Sequence, residues 1–393
     1  MNAVPAAAQP SRARRPAIRF DRHELAGAFG DVGTDVPLII GVALAAQLNG
    51  ASVLIMFGAM QILTGYVYRM PMPVQPLKAM AAIVIAQQVA APALYGAGLA
   101  IGLAMLLLAT TGALTWLARV VPKSVVRGIQ FGLGLQLAMI ALQNYVRAEA
   151  ATGYALAAGA FVITVLLLGN RRLPAALPVV ALGVAYAAFR IDGASLATSI
   201  GFHLPAPHVP RLADIATGFV LLALPQIPLS LGNSVLATHQ LTKDLFPERS
   251  VGIRKIGLTY ALMNLINPWL GGIPTCHGSG GMAGHYAFGG RTGGSVIIYG
   301  LVFVTLGLFF GPGFDHIVRA FPLPILGVML LFEALALIWL IRDTTSSRLD
   351  LPVAALVGLI AVGLPYGYLI GMVVGTALVR LGGRANLVNP DAV

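Results

Sequence analysis

In the stretch Gly271-Gly-Ile-Pro-Thr-Cys-His-Gly-Ser-Gly-Gly-Met-Ala-Gly-His-Tyr-Ala-Phe-Gly-Gly-Arg291, one proline and eight glycines crowd into a segment flanked by apolar runs. So many glycines disfavour an ordinary helix. They suit a chain that enters a membrane extended and starts a helix near Gly278, aiming free N–H groups and a positive dipole end at an anion. Cys276, His277 and Ser279 add side-chain donors. The alternative is that the glycines only let helices pack closely. Met70-Pro-Met-Pro-Val-Gln-Pro-Leu-Lys-Ala-Met-Ala81 is a second such break. Pro76 fits a first helical turn, Gln75 precedes it, and Lys78 lies within the membrane, where an ionisable side chain is costly. Lys78 serves either to neutralise an anion or to pair with a carboxylate of the first span.

The rest of the chain supplies the membrane. Of 393 residues, 58% are apolar and 10% charged, with mean hydropathy +0.84; soluble domains run at about 45–50% and 25%. This excludes a soluble enzyme, a disordered chain and a disulfide scaffold, and the single Cys276 forms no internal disulfide. Fourteen apolar segments follow: 24–48, 51–68, 74–90, 96–118, 124–144, 152–169, 174–189, 213–238, 251–269, 275–289, 294–312, 322–341, 351–364 and 366–380. With the N-terminus in the cytoplasm, twenty of the 25 Lys and Arg residues fall on that side. Four (Arg147, Arg190, Arg211 and Arg319) fall outside, and Lys78 lies between. The split obeys the positive-inside rule, and the +11 net charge therefore reports orientation rather than nucleic acid.

The expected fold is an all-α polytopic membrane protein of about 14 segments in a 7+7 inverted repeat, with broken half-helices at segments 3 and 10. Its parts are a disordered basic cytoplasmic tail (1–23), a first repeat (24–190), an extracytoplasmic linker (191–212), a second repeat (213–381) and a cytoplasmic tail (382–393). An odd unit inverts on duplication. Asp35-Val-Pro-Leu-Ile-Ile-Gly41 in segment 1 is echoed by Gln226-Ile-Pro-Leu-Ser-Leu-Gly232 in segment 8, and the two breaks hold matching places.

Polar residues in spans are the remaining candidates. Gly27, Asp31, Thr34 and Asp35 share one face of segment 1; Asp31 is nearer the cytoplasm, where hydration accounts for it, and Asp35 is deeper. Gln226, Ser230, Asn233 and Ser234 share a face of segment 8, with Gln226 aligned to Asp35. Glu333 in segment 12 is a further buried carboxylate, with a structural role open to it. His203 and His208 in the linker read as solvated. Neither a metal cluster, a P-loop nor a nucleophile–base set appears in the sequence, so no enzyme, metal or cofactor is expected.

Pro71-Met-Pro-Val-Gln-Pro-Leu-Lys78 with Ala81-Ala82, and Pro274 through Arg291, resemble the two signatures of the molybdate transporter family of plants and bacteria. Phe29-Gly-Asp-Val-Gly-Thr34, Val125-Val-Arg-Gly-Ile-Gln130, Pro225-Gln-Ile-Pro-Leu-Ser230 and Asp244-Leu-Phe-Pro-Glu248 match its habits. Leu77 stands where the family often has Met, and Ser279 where it often has Ala. The resemblance spans roughly residues 24–380 and implies a branch of the sulfate permease (SulP) superfamily. It implies core segments 1–4 and 8–11, gate segments 5–7 and 12–14, and no STAS domain. It also implies a substrate between the starts of segments 3 and 10, walled by segments 1 and 8. The expected substrate-binding set is Gln75, Pro76, Leu77, Lys78, Thr34, Asp35, Gln226, Ser230, Asn233, Cys276, His277, Gly278, Ser279, Gly280 and Gly281. Asp31, Asp35 and His277 are the proton-coupling candidates. The expected activity is secondary import of molybdate by alternating access, with sulfate, tungstate or another oxyanion, an anion channel or a nucleobase-type transporter as rivals. Expected partners are the oxyanion, H+ and the lipid bilayer of a bacterial inner membrane, with both termini cytoplasmic and a homodimer left open.

Overall fold

The backbone groups freed by the two breaks pair with each other. In the computed structural model, which describes residues 17–170, 173–345 and 349–384, strand β1 (Val74–Pro76) runs antiparallel to strand β2 (Thr275–His277). Val74 faces His277, Gln75 faces Cys276 and Pro76 faces Thr275. A membrane interior holds no water to satisfy extended backbone, so such a segment persists only when protein covers it.

The outer edges of the little sheet are closed by amide side chains. Gln61 donates through Nε2 to the Val74 carbonyl at 2.7 Å and accepts from the Val74 N–H at 2.9 Å. Asn264 does the same for Thr275, at 2.6 and 2.9 Å. Each amide mimics a missing neighbouring strand, and both are fully buried. The two arrangements hold corresponding places on either side of the Gln75–Cys276 pair. Replacing either amide by leucine orphans a buried N–H and C=O, at about 1–3 kcal/mol per group. Gln61→Leu and Asn264→Leu are each expected to lower the thermal unfolding midpoint in detergent, by similar amounts.

In chain order the elements before the linker are α1 (Arg22–Ala28), α2 (Val32–Ala46), α3 (Gly50–Tyr68), β1, α4 (Lys78–Gln87), α5 (Ala91–Thr110), α6 (Ala113–Val120), α7 (Lys123–Ile140), α8 (Ala150–Leu166) and α9 (Ala176–Arg190). The linker holds α10 (Gly193–Thr198). Then come α11 (Leu212–Gly218), α12 (Leu224–Leu229) and α13 (Thr238–Leu245), followed by α14 (Ile253–Ile266), β2, α15 (Ser279–Ala287), α16 (Gly294–Ala320), α17 (Leu323–Trp339), α18 (Asp350–Gly363) and α19 (Gly367–Arg384). Six helical stretches among the described residues are long and apolar enough to span a bilayer, or seven counting α1–α2, with five shorter apolar helices beside them. Arg12, Arg14, Arg15, Arg171, Arg172, Arg348 and residues 385–393 lie outside the described residues.

Packing repeats along the chain. Helix α3 lies along α16, and α14 lies along α5. Small residues permit the first contact: a Cβ on Gly58 would meet the Gly300 carbonyl, and one on Gly300 the Gly58 carbonyl, the close approach favoured between membrane helices. A separate group packs α7 against α17 and α18, and α18 against α19.

Three details depart from the sequence reading. Segment 1 is not one helix over 24–48: α1 and α2 are bent by 42°. At the break, Gly30 lies on the backbone of Gly284, leaving no room for a side chain. Segment 11 does not stop near Pro312 but continues to Ala320 through a kink at Phe310 (φ −144°). Proline has no N–H for the Leu308 carbonyl, and His203 of the linker supplies one at 2.7 Å. The linker thus holds a helix and docks on α16. Glu24, not a candidate from sequence, is fully buried and accepts from the N–H groups of Arg291, Thr292 and Ser295 at 2.9–3.0 Å, capping α16.

Candidate functional site

Helices α4 and α15 start from opposite ends of the same sheet, so their N-termini are held inside the protein by the strand pairing. They end up differently occupied. The start of α4 is capped from another span: Gln226 Oε1 accepts from Ala79 N at 2.9 Å and Met80 N at 3.2 Å. Gln226 is aimed by Ser230, whose Oγ accepts from its Nε2 at 3.1 Å and lies 2.8 Å from the Tyr260 hydroxyl. The span that carries them, residues 212–245, passes through π-helical turns on both sides of Pro225 and Pro228. Such turns rotate the side chains that follow them and are frequent at functional sites.

The start of α15 carries no side-chain cap. Gly278 precedes it in extended conformation (φ −114°, ψ 117°). Ser279 is half-buried, Gly280 is exposed, and a Cβ on Gly280 would meet nothing within 4 Å. Ser279 Oγ donates to Asn233 Oδ1 at 3.4 Å. Gly278 and Gly281 are filled on their other sides, by the Gln75 side chain and by the Asp31 carboxylate with the Pro73 ring respectively. The Cβ side of Gly280 is therefore open beside Ser279 and Asn233, and no side chain among the described residues caps the first turn of α15, the kind of helix start that suits an anion.

The charged groups form a network behind this opening. Gln75 Nε2 donates to both Asp31 oxygens, at 2.7 and 2.8 Å. Lys78 is ion-paired with Glu333, and Thr34 donates to the other Glu333 oxygen at 3.1 Å. The partner of Lys78 is thus a carboxylate of segment 12 rather than of segment 1, because α17 packs on α2 and brings Glu333 over the α4 start. Asp35 is fully buried, and neither of its oxygens has a hydrogen-bond partner among the described residues. A cavity of about 280 Å³ reaches Thr34 and Glu333 between α8, α9 and α17, lined also by Thr164, Ala176 and Phe332.

Several expected site residues face elsewhere. His277 bonds through Nε2 to Thr259 Oγ1 at 2.7 Å, with Tyr68 packed edge-on at 5.4 Å. Cys276 is buried across the sheet from Gln75, and Leu77 N donates to the Pro274 carbonyl at 3.2 Å. Ser230 acts through Gln226. Pro76 ends β1, and Leu77 caps α4 without a side-chain bond. The structure gathers Gln75, Asp31 and Gly281 in one place, Lys78, Thr34 and Glu333 in a second, and Ser279 with Asn233 in a third. The amides Gln61 and Asn264 are not among the residues singled out from the sequence. Their signal was available: each is a buried-type amide in the span before a break, thirteen and eleven residues ahead of the strand residue it holds.

The fold of this apolar bundle, in which two half-helices meet across a short sheet, is similar to that of solved membrane transporters. A cyanobacterial bicarbonate transporter, BicA, has a transmembrane domain that superposes with TM-score 0.67 at 14% identity, covering 90% of this chain and 97% of that one. Murine Slc26a9 in its inward-facing state gives 0.71 at 14% identity, covering 95% and 70%. A family model described as "Molybdate transporter of MFS superfamily" matches residues 23–137 and 218–337. Molybdate transporter 2 of Arabidopsis thaliana is 35% identical over 374 residues, covering 83% of this chain and 80% of the relative. Molybdate transporter 1 of the same plant is 34% identical, covering 81% and 80%. Molybdate transporter 1 of Chlamydomonas reinhardtii is 28% identical, covering 86% and 87%. The chain belongs to the molybdate transporter family, whose members are transporters and not enzymes.

Proposed function

We propose that the protein imports molybdate by alternating access, binding the dianion at the open start of α15. The observation that carries this reading is the asymmetry of the two half-helices: Gln226 fills the α4 start, whereas the α15 start is uncapped beside Ser279, Gly280 and Asn233. Three first-turn N–H groups and two neutral side chains suit a tetrahedral oxyanion, and the names of the relatives supply molybdate.

Matched contacts support the 7+7 inverted repeat. Gln61 and Asn264 hold equivalent edges, α3–α16 and α14–α5 are equivalent pairs, and α7, α17, α18 and α19 form a separate group suited to a gate. On that division Lys78 and Thr34 belong to the core and Glu333 to the gate, so movement of one against the other must break the Lys78–Glu333 pair. An arriving dianion competes with Glu333 for this lysine, giving the substrate a means of releasing it.

Charge balance favours H+ as the coupling ion. Asp31 is held by a neutral amide and Asp35 lies fully buried beside the Tyr299 hydroxyl, whereas Glu333 is paired with a cation. A dianion approaching ionised carboxylates is repelled, by about 2 kcal/mol per charge pair at 8 Å and an effective dielectric of 20. Entry into a negative-inside cell costs a further 2.3 kcal/mol or so per charge per 100 mV. Protons carried on Asp31 and Asp35 relieve both. His277, bonded to Thr259, stands further from this role. The proposed setting is a bacterial inner membrane with both termini in the cytoplasm.

In proteoliposomes, uptake of radiolabelled molybdate is expected to saturate, to fall when the proton gradient is collapsed, and to resist a hundredfold excess of sulfate. Uptake indifferent to the gradient would remove the H+ step. Equal competition by sulfate would make the protein a general oxyanion permease, and uptake linear in concentration would make it a channel.

A further inference from the structure

Three buried polar side chains around the end of α15 and the start of α16 take no part in the anion site. His285 stands in the last turn of α15, at the far end from Ser279, and Ser295 and Tyr299 lie on α16. All three are fully buried, as is Asp35, and none of the side-chain nitrogen or oxygen atoms of the four has a hydrogen-bond partner among the described residues. A buried polar group left unsatisfied costs about 1–3 kcal/mol, and ionisable groups inside a membrane mark ion and proton pathways. These groups follow one another through the protein. The Asp35 carboxylate lies beside the Tyr299 hydroxyl. The Tyr299 ring is fixed edge-on by Phe29, Phe57 and Phe303, with centroids at 6.5, 6.4 and 4.9 Å, and by the His285 ring at 5.9 Å. Ser295 is one turn before Tyr299 on the same face, and its Oγ and the His285 carbonyl both lie within 3.0 Å of where a Cβ on Gly290 would stand. The Ser295 N–H donates to Glu24 at 2.9 Å, and Glu24 is 4.0 Å from the guanidinium of Arg19, whose side chain is 56% exposed. The file thus runs from the membrane interior to the face that the charge distribution assigns to the cytoplasm.

We infer that Asp35, Tyr299, His285 and Ser295 form the path by which coupled protons leave for the cytoplasm, with water completing the gaps between them. The inference rests on the H+ coupling proposed above and names its route. Protonated Asp35 gives its proton to the Tyr299 oxygen as Tyr299 gives its own to one ring nitrogen of His285. The imidazolium releases a proton from its other ring nitrogen toward Ser295 and the Glu24 carboxylate, and water at the Arg19 surface takes it up. Asp35 is left ionised, the other groups end as they began, and one proton has moved. Charged groups stand at the two ends of the file: Asp31, Lys78 and Glu333 near Asp35, and Arg19, His23 and Arg291 near Glu24 and the end of α15. On α13, which also packs on α15, His239 is engaged by the Val251 carbonyl at 2.6 Å, Asp244 by Gln240 at 2.8 Å, and Lys243 is exposed. That leaves Tyr299 and His285 to carry the proton between the ends.

The test compares the wild type with Tyr299→Phe, which keeps the ring among its aromatic neighbours and removes only the hydroxyl, and with His285→Gln, which keeps a polar side chain of similar size and removes the base. Two rates are read in proteoliposomes. One is net uptake of radiolabelled molybdate driven by an inward proton gradient. The other is exchange of external for internal molybdate, which needs no net release of protons. Thermal unfolding and equilibrium molybdate binding are the controls for folding and for the anion site. Both variants are expected to lose at least about tenfold in net uptake, while exchange and binding stay within about twofold of the wild type. Net uptake equal to that of the wild type would show the residues idle and overturn the inference. Exchange lost in proportion to net uptake would show them structural and overturn it equally. Wild-type uptake indifferent to the proton gradient would remove the H+ coupling itself, an outcome distinct from the other two because it appears without any substitution.

Discussion

Gly281→Ala is expected to abolish molybdate binding, while Gly280→Ala, one residue away, leaves the fold intact and weakens binding far less. A Cβ at Gly281 falls on the Asp31 carboxylate and the Pro73 ring. Neither can retreat: Asp31 is held by two hydrogen bonds from Gln75, and Pro73 leads into the paired strand β1. The start of α15 must move instead, displacing the N–H groups that define the site. Overpacking of this kind costs about 1–3 kcal/mol of stability, and misplacing the anion donors adds a loss of about 100-fold or more in affinity, or some 2.7 kcal/mol. At Gly280 the same methyl enters open space. Equilibrium binding of radiolabelled molybdate, with thermal unfolding as the control for folding, separates the two variants. Equal effects at both positions would mean that the glycines serve packing alone.

The second large effect concerns Lys78. Lys78→Ala leaves Glu333 buried without its cation, and breaking such a pair from one side destabilises by about 3–5 kcal/mol. Lys78→Met combined with Glu333→Met removes both charges and is expected to recover most of that stability, since an apolar pair of similar volume is often neutral or better. Transport should not recover with it: the double variant retains a folded protein that has lost the only Lys or Arg in the network of Asp31, Thr34, Asp35, Gln75 and Glu333. Thermal midpoints with molybdate uptake on the same preparations read both quantities. If the double variant transported normally, Lys78 would be a structural partner of Glu333 and nothing more.

Much of this organisation was legible in the chain. The breaks at Pro73–Leu77 and Pro274–Gly278 stood out because proline, glycine and polar side chains are expensive inside an apolar run, so each has to be explained. The same logic singled out Gln75, Gln226, Asn233 and Ser279. Partners were less accessible. Whether Lys78 would meet a carboxylate of segment 1 or of segment 12 depends on how α17 lies against α2, which local pattern does not encode. Gln226 was aligned with Asp35 by ordinal position, yet its amide reaches across to cap α4, a contact set by the crossing of two spans distant in sequence. Gly30 was one glycine among many until the backbone of Gly284 proved to lie against it. The apolar segment 294–312 stops at Pro312 by local pattern, whereas in the bundle the linker supplies the missing donor and the helix continues to Ala320.

The central claim is that an oxyanion sits at the uncapped start of α15. Equilibrium binding of radiolabelled molybdate to the purified protein, compared with Ser279→Ala and Gln75→Ala, tests it most directly. The account predicts saturable binding by the wild type. It predicts a loss of about tenfold for Ser279→Ala, which removes one hydroxyl donor, roughly 1.4 kcal/mol. A larger loss is predicted for Gln75→Ala, which frees the Asp31 carboxylate beside the site. Binding unchanged in both variants would place the anion elsewhere and contradict the account.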